Sequence, residues 1–155
     1  MFYLRAINKR GELQALGIEL SKFPLEPTYA KALLTSHYLD CDDEMMTLVS
    51  VLSSENVWMT VSRRKDEEQQ KRLEDVRKHF IMKTDQKSDH MVLVKIYDEW
   101  ERQGPSHQND WCYRNFVQNR ALKQAFNIRA QLQDHMRTVE WSRLEKSVED
   151  FACLK

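Results

Sequence analysis

The scarcity of chain-breaking residues is the feature that most limits how this chain can fold. Its 155 residues include three glycines and three prolines. Apolar residues instead recur at the three- and four-residue spacing of a helix face, as at Leu93, Ile96, Tyr97 and Trp100. With 41% hydrophobic and 31% charged residues, the chain can build a core and is not of the disordered class. We therefore predict a mostly α-helical fold.

The first forty residues contain most of the turn signals. Residues 1–10 have the pattern of a helix end, which Gly11 stops. Residues 12–17 alternate between two glycines and are predicted to form a short strand or wing. Pro27 suits the first turn of a helix that continues to about Leu39. The apolar face of this helix would consist of Ala30, Leu33, Leu34 and Tyr38.

An acidic run, Asp40-Cys41-Asp42-Asp43-Glu44, precedes the next apolar stretch. Carboxylates at a helix start are stabilised by the helix dipole, and they lack the spacing of a calcium loop here. Helix capping is therefore favoured over a metal site. The helix that follows would bury one face made of Met45, Leu48, Val49, Val51 and Leu52.

The polar residues 62–78 are the predicted boundary inside the chain, as an exposed helix or a linker leading into one. A thin stripe of Leu73, Val76 and Phe80 would dock this segment. The cluster Arg63-Arg64-Lys65 is interpreted as a solvated face rather than a phosphate contact. The predicted domains are 1–61, 62–139 and a tail, 140–155.

In the second half, Thr84–Lys87 is predicted to be a loop, with Ser88 as the N-cap of the next helix. Asp110 is predicted to cap another helix, and helical patterning continues over 121–139. The aromatic residues Trp111, Tyr113 and Phe116 are suited to stacking bases, but their helical spacing is more typical of a core. We expect two of the three to be buried.

The sequence contains no recognisable catalytic motif. It has no phosphate-binding G-x-x-x-x-G-K-[ST] loop, no H-E-x-x-H and no G-x-S-x-G. The five histidines are scattered, and Cys112 is expected to be a core residue rather than a nucleophile. Three widely spaced cysteines indicate reduced, intracellular thiols. No apolar run approaches the ~20 residues of a membrane span, and the start lacks the layout of a signal peptide.

The balance of charges limits any nucleic-acid binding to a local patch of the surface. The formal net charge is zero, whereas dedicated nucleic-acid binders are usually basic. On a helical wheel, Arg129 falls near the centre of an apolar arc formed by Ala121, Leu122, Ala125, Phe126, Ile128, Leu132 and Met136. A guanidinium in that position must be paired or reach a polar channel. The two readings are a buried ion pair with Asp89 or Asp98, and a phosphate or base contact.

An ordered set of short motifs resembles the region that follows the ATPase core of DEAH-box RNA helicases. Gly11-Glu12-Leu13, Phe23–Pro27 and Glu44–Val49 are similar to the winged helix of that family. The set Ser88-Asp89-His90, Trp111-Cys112, Asn115-Phe116 and Ile128–Leu132 is similar to the helical ratchet, or helicase-associated, domain. Departures include Ser88, where the family has glycine, and Val92 and Gln14, where it has threonine. Both RecA-like domains are missing, and no OB fold is recognisable in 140–155.

The resemblance implies a small winged helix with a short β element, followed by a helical bundle. It implies an accessory region of an ATP-dependent, nuclear helicase of pre-mRNA splicing or related RNA processing, itself without ATPase activity. Single-stranded RNA would meet Ser88, Asp89, His90, Arg120 and Arg129, with Asp89 alternatively orienting a neighbouring arginine. ATP and Mg²⁺ would bind the parent protein, not this fragment, and no metal is expected here.

The resemblance also implies protein partners. The RecA-like domains of the same protein would pack on this region, and a G-patch activator would contact the Pro27–Leu39 helix through Tyr29, Leu33 and Tyr38. The rival interpretation is a stand-alone helical protein–protein interaction module without an RNA role.

Overall fold

A computed structural model describes residues 2–60, 67–84 and 88–145 of the chain. The helices are α1 (Ala15–Lys22), α2 (Pro27–Ser36), α3 (Asp42–Leu52), α4 (Glu67–Met82), α5 (Asp89–Arg102), α6 (Gln108–Arg114), α7 (Asn119–Arg137) and α8 (Trp141–Glu145), with a 3₁₀ turn at His37–Leu39. The prediction of a mostly helical chain is confirmed. Within the described residues there is no sheet. Isolated β-bridges join Ile7 to Leu13 and Trp58 to Val117.

The N-terminal predictions were wrong in detail. Residues 2–6 form turns rather than a helix end, and the second half of the predicted strand or wing at 12–17 belongs to α1, while Leu13 makes only an isolated β-bridge to Ile7. Asn8 explains the turn between them, because its Oδ1 accepts hydrogen bonds from the backbone N–H groups of Arg10 (2.9 Å) and Glu12 (3.0 Å). A Cβ on Gly17 would lie 2.2 Å from the Ala6 carbonyl oxygen. Gly17 therefore permits close backbone packing and does not break the helix.

The chain divides into two compact units, with the unit boundaries inside α3 and α7. The first unit contains residues 1–45 and 130–155, and the second runs from Met46 to Arg129. The boundary predicted at 61–62 and the basic cluster 63–65 lie outside the described residues, as do residues 85–87 of the predicted loop. The predicted domain limits therefore stay predictions.

In the first unit, α2 packs on α1, and α1 also contacts α8. Helix α2 begins at Pro27 as predicted and buries Ala30, Leu33 and Leu34. The ring of Trp141 stacks on His37 with centroids 3.9 Å apart, and Tyr38 meets the same indole edge-on at 6.0 Å. His37 Nδ1 lies 3.0 Å from the Asp42 carboxylate, so the acidic run contributes a side-chain partner as well as charge in the first turn of α3.

In the second unit, α5 packs between α4 and α6. Its core consists of Val51, Val57, Phe80, Val92, Ile96, Tyr97, Trp100, Cys112, Val117, Ala121, Leu122 and Ala125. Helix α4 is mostly polar; its inward apolar residues are the buried Leu73 and Phe80 and the half-buried Val76 and Ile81, and Met82 is exposed. The predicted docking stripe is confirmed, and α4 depends on these few contacts for its place.

Two predictions in this unit were wrong. Helix α6 begins at Gln108 with His107 at the N-cap, so Asp110 lies in the first turn instead of capping it. Tyr113 is 78% exposed, while Trp111 and Phe116 are half-buried, so none of the three aromatic residues is fully buried. Phe116 has a positive φ of 54°, a backbone turn that helical spacing does not reveal.

Backbone pairing fixes the segment 57–59. The Met59 N–H donates to the Phe116 carbonyl (2.9 Å), and the Gln118 N–H donates to the Val57 carbonyl (2.8 Å). The Gln118 side chain adds a bond to the Trp58 carbonyl (3.0 Å). These bonds, made across about 60 residues of chain, hold Trp58 in place beside α4.

Candidate functional site

The first turn of α5 presents three residues that the sequence selected. Ser88 occupies the N-cap position as predicted, with extended backbone angles, but its side chain makes no capping hydrogen bond. Its carbonyl accepts the Val92 N–H at 3.0 Å. Ser88 is half-buried, whereas Asp89 and His90 are exposed. This helix start therefore offers a hydroxyl, a carboxylate and an imidazole to solvent.

Arg120 lies at the start of α7 and is paired. Its guanidinium is 3.1 Å from a carboxylate oxygen of Glu55, with the two side chains 84% and 47% exposed. An ion pair this open to water contributes less than about 1 kcal/mol to stability. Arg120 can therefore exchange Glu55 for another anion at small cost.

Arg129 is half-buried and bonded within the second unit. Its Nε donates a 3.0 Å hydrogen bond to Oγ1 of the buried Thr47 on α3. Burial raises the pKa of Tyr97 to about 12; Glu101 adds to the rise and the positive charge of Arg129 opposes it. The Thr47 hydroxyl is a neutral partner, whereas the sequence suggested the carboxylates of Asp89 or Asp98.

The two arginines do not form one cluster. Nine residues separate them on α7, which places them on opposite faces and roughly 13 Å apart along the axis at 100° and 1.5 Å per residue. Arg120 is linked to the first turn of α5 only through its partner Glu55. Glu55 and Asp89 line one groove in the second unit. Arg129 belongs to the α3 side of the unit instead.

That groove has a volume of about 450 Å³. Its apolar lining comprises Val51, Leu52, Val57, Trp58, Ile81, Val92 and Leu93, and its polar lining comprises Ser54, Glu55, Asn56, Arg77 and Asp89. The Arg77 guanidinium carbon lies 5.0 Å from the centre of the Trp58 ring, a cation–π geometry. Sequence reasoning missed Glu55, Trp58 and Arg77, because they converge from segments that no local pattern connects.

The residues predicted to meet an activator belong to the first unit. Leu33 is fully buried there, so its side chain serves the core and presents no surface to a partner in this conformation. Tyr29 and Tyr38 are half-buried. Since Leu33 shares the inner face of α2 with Ala30, outward contacts from this helix would come from the tyrosines.

Cys112 shows no sign of catalytic activation. It is 1% exposed, and burial raises the pKa of its thiol from 9.0 to about 11, with Lys123 opposing the rise. The prediction that Cys112 is a core residue is confirmed. In the described part of the chain, no group of three or more histidine, cysteine, aspartate or glutamate side chains could hold a metal ion. Among the same residues, no helix is both long and apolar enough to cross a membrane.

Comparison with known proteins assigns this helical region. Residues 26–93, from the start of α2 to the first turn of α5, match the ratchet-like helicase-associated domain (HA2). Two matches support placing the chain in the C-terminal helicase-associated region of DEAH-box RNA helicases. Among its relatives is the pre-mRNA-splicing factor ATP-dependent RNA helicase prp22 of Schizosaccharomyces pombe, which is 32% identical over 132 residues. That alignment covers 85% of this chain and 10% of the relative, so the chain spans about a tenth of the relative's length.

Proposed function

We propose that this region lines the single-stranded RNA channel of an ATP-dependent RNA helicase of pre-mRNA splicing or related RNA processing. The observation that carries the proposal is the match to the ratchet-like domain, which ends in the turn that exposes Asp89 and His90. The role is to position RNA. ATP and Mg²⁺ belong to the ATPase core of the parent protein, and the partners of this region are RNA and that protein's RecA-like domains. The nucleus is the proposed location.

The RNA-contacting groups we propose are Ser88, His90 and Arg120. The free N–H groups at the start of the 14-residue helix α5 attract phosphate oxygens, and Ser88 and His90 can donate to them. Arg120 supplies the charge once it leaves Glu55. Asp89 repels phosphate, and the alternative role of orienting a neighbouring arginine has no partner among the described residues. Arg129 is proposed as a second contact whose hydrogen bond to Thr47 aims the guanidinium.

Binding of fluorescent single-stranded oligo-U by anisotropy tests this proposal. We expect weak binding at low salt that diminishes as salt rises, and a further loss of about three- to tenfold in Arg120→Ala, the effect of one phosphate contact. Arg137→Ala is the matched control, since Arg137 on the same helix is exposed and paired with Asp134 at 3.3 Å. Equal affinity of wild type and Arg120→Ala, or an equal loss in Arg137→Ala, would contradict the assignment.

We propose further that the α2 face couples this region to an activator protein of the G-patch class. Tyr29 and Tyr38 are the contacts, and Leu33 supports them from the core. The stacked pair His37 and Trp141 beside Tyr38 makes this end of the first unit rigid and aromatic, which favours protein contacts.

A further inference from the structure

We propose that the groove of the second unit is a docking site for a short peptide of a partner protein, in which an arginine or lysine stands beside an apolar side chain. The site is separate from the α2 face and does not depend on the RNA proposal.

The floor of the groove fits an apolar side chain. Val51, Leu52, Val57, Ile81 and Val92 line it, and the volume of about 450 Å³ lies within the range of ligand pockets in proteins. A leucine or methionine placed on this floor would remove apolar surface from water on both sides.

The rim of the groove fits a cation. Asp89 and Glu55 line it together with one cation, Arg77, whose guanidinium lies over the Trp58 ring. Two carboxylates therefore share the lining with one arginine. Among the described residues no cation pairs with Asp89, which is exposed. Glu55 has a partner, Arg120, but that guanidinium is 84% exposed and reaches Glu55 from solvent. A basic side chain entering the groove would gain a charge-assisted hydrogen bond to Asp89, and a second to Glu55 on displacing Arg120.

The same geometry disfavours a nucleotide in the groove. Two carboxylates repel phosphate groups, and Arg77 already covers a face of Trp58 at 5.0 Å. Phe80 meets the same indole edge-on, with centroids 6.2 Å apart. A base could stack on Trp58 only after displacing Arg77, so these contacts favour a peptide.

The groove and the proposed RNA surface use adjoining faces of α5. Asp89, Val92 and Leu93 line the groove, and they fall within about 100° of one another on a helical wheel. His90 lies about 100° from Asp89 and about 60° from Leu93 on the same wheel, so it flanks the groove face. Peptide in the groove would contact the helix turn that presents Ser88 and His90 without covering His90.

Anisotropy with labelled heptapeptides on the whole 155-residue chain tests the proposal. We expect a peptide of alternating leucine and arginine to bind, and peptides of leucine–glutamate or serine–arginine to bind at least about fivefold more weakly. Asp89→Asn should weaken the leucine–arginine peptide about fivefold. Asp110→Asn is the matched control, because Asp110 is also an exposed aspartate in the first turn of a helix.

The substitution Glu55→Gln distinguishes the peptide site from the RNA site, because it should change the affinities for peptide and for oligo-U in opposite directions. It removes a rim carboxylate and should weaken the peptide, but it also releases Arg120 and should strengthen oligo-U binding. Methyl NMR supplies a second readout, with peptide-induced shifts confined to valine, leucine and isoleucine methyls of the groove. Equal binding of the leucine–arginine and leucine–glutamate peptides would overturn the proposal. So would equal losses in Asp89→Asn and Asp110→Asn, or weaker oligo-U binding in Glu55→Gln, which would make the groove part of an RNA site.

Discussion

At the scale of single residues, Cys112 shows how burial changes the chemistry of a side chain. It packs in the core of the second unit, with its Sγ 3.8 Å from Oδ1 of Asn119. The same Asn119 oxygen accepts a 2.8 Å hydrogen bond from the indole N–H of Trp100. Loss of the thiol proton would place a negative charge beside an acceptor and away from water. This explains why the neutral thiol persists to high pH.

We predict that iodoacetamide at pH 8 leaves Cys112 unmodified in the folded protein and modifies it in urea. Because the folded pKa is raised from 9.0 to about 11, the thiol's contribution to stability is complete below pH 9 and is lost as pH rises to 11. In that interval the free energy of unfolding should fall by up to ~1.4 kcal/mol per pH unit more in wild type than in Cys112→Ala. Identical pH slopes, or alkylation of native Cys112 at the rate in urea, would contradict this account.

At the scale of elements, helix α4 shows how a polar segment is held by a few contacts. Phe80 is fully buried and meets Trp58 and Trp111 edge-on, each at 6.2 Å between centroids. Edge-to-face pairs contribute beyond simple burial. Since Trp58 also lines the groove, the ring of Phe80 connects the packing of α4 to the shape of that site.

Phe80→Ala should lower the free energy of unfolding by about 3–5 kcal/mol, the cost of a large cavity in an aromatic core. Met82→Ala, two residues along the same helix and 81% exposed in wild type, should change it by less than about 0.5 kcal/mol. Urea unfolding followed by circular dichroism measures both values. A loss below about 1 kcal/mol in Phe80→Ala would mean that α4 is held by contacts other than this aromatic cluster.

The elements also show what the sequence could and could not predict. Pro27, the acidic first turn of α3 and the stripe from Leu73 to Phe80 are local signals, and the helices they predict are present. The alternation in residues 12–17 indicated a strand because each glycine was read as a breaker, whereas Gly17 lies inside α1 against the Ala6 carbonyl. A glycine required by tertiary contact has the same appearance in sequence as one required by a turn.

The candidate sites also include residues that the sequence could indicate and residues that only the tertiary structure brings together. Asp89 and His90 were proposed because Ser88-Asp89-His90 resembles a motif of the helicase family, while capping patterns predicted only the helix start beside them. The groove was not found, because Glu55, Arg77 and Asp89 converge only through the tertiary structure. Likewise, the helical wheel showed that Arg129 needs a partner, but Thr47 is 82 residues away in the chain.

At the scale of the whole molecule, the neutral net charge is consistent with the proposal that RNA is contacted only through local surfaces. The first unit offers aromatic side chains at the end of α2, and the second unit offers both an exposed helix start and a groove lined by Glu55, Asp89 and Arg77. In the account proposed here, ATP hydrolysis takes place in the parent helicase, and this region supplies contacts to RNA and to proteins.

The first test of the proposed RNA surface is photo-crosslinking of a 4-thiouridine oligonucleotide to the chain. Mass spectrometry then identifies the modified peptides. We expect crosslinks concentrated at the first turn of α5 and the start of α7, near His90 and Arg120. These crosslinks should disappear when unlabelled oligo-U competes. Crosslinks confined to the α2 face around Tyr29 and Tyr38, or none above those of an unrelated helical protein, would contradict the assignment of an RNA-channel surface and leave a protein-docking module as the function.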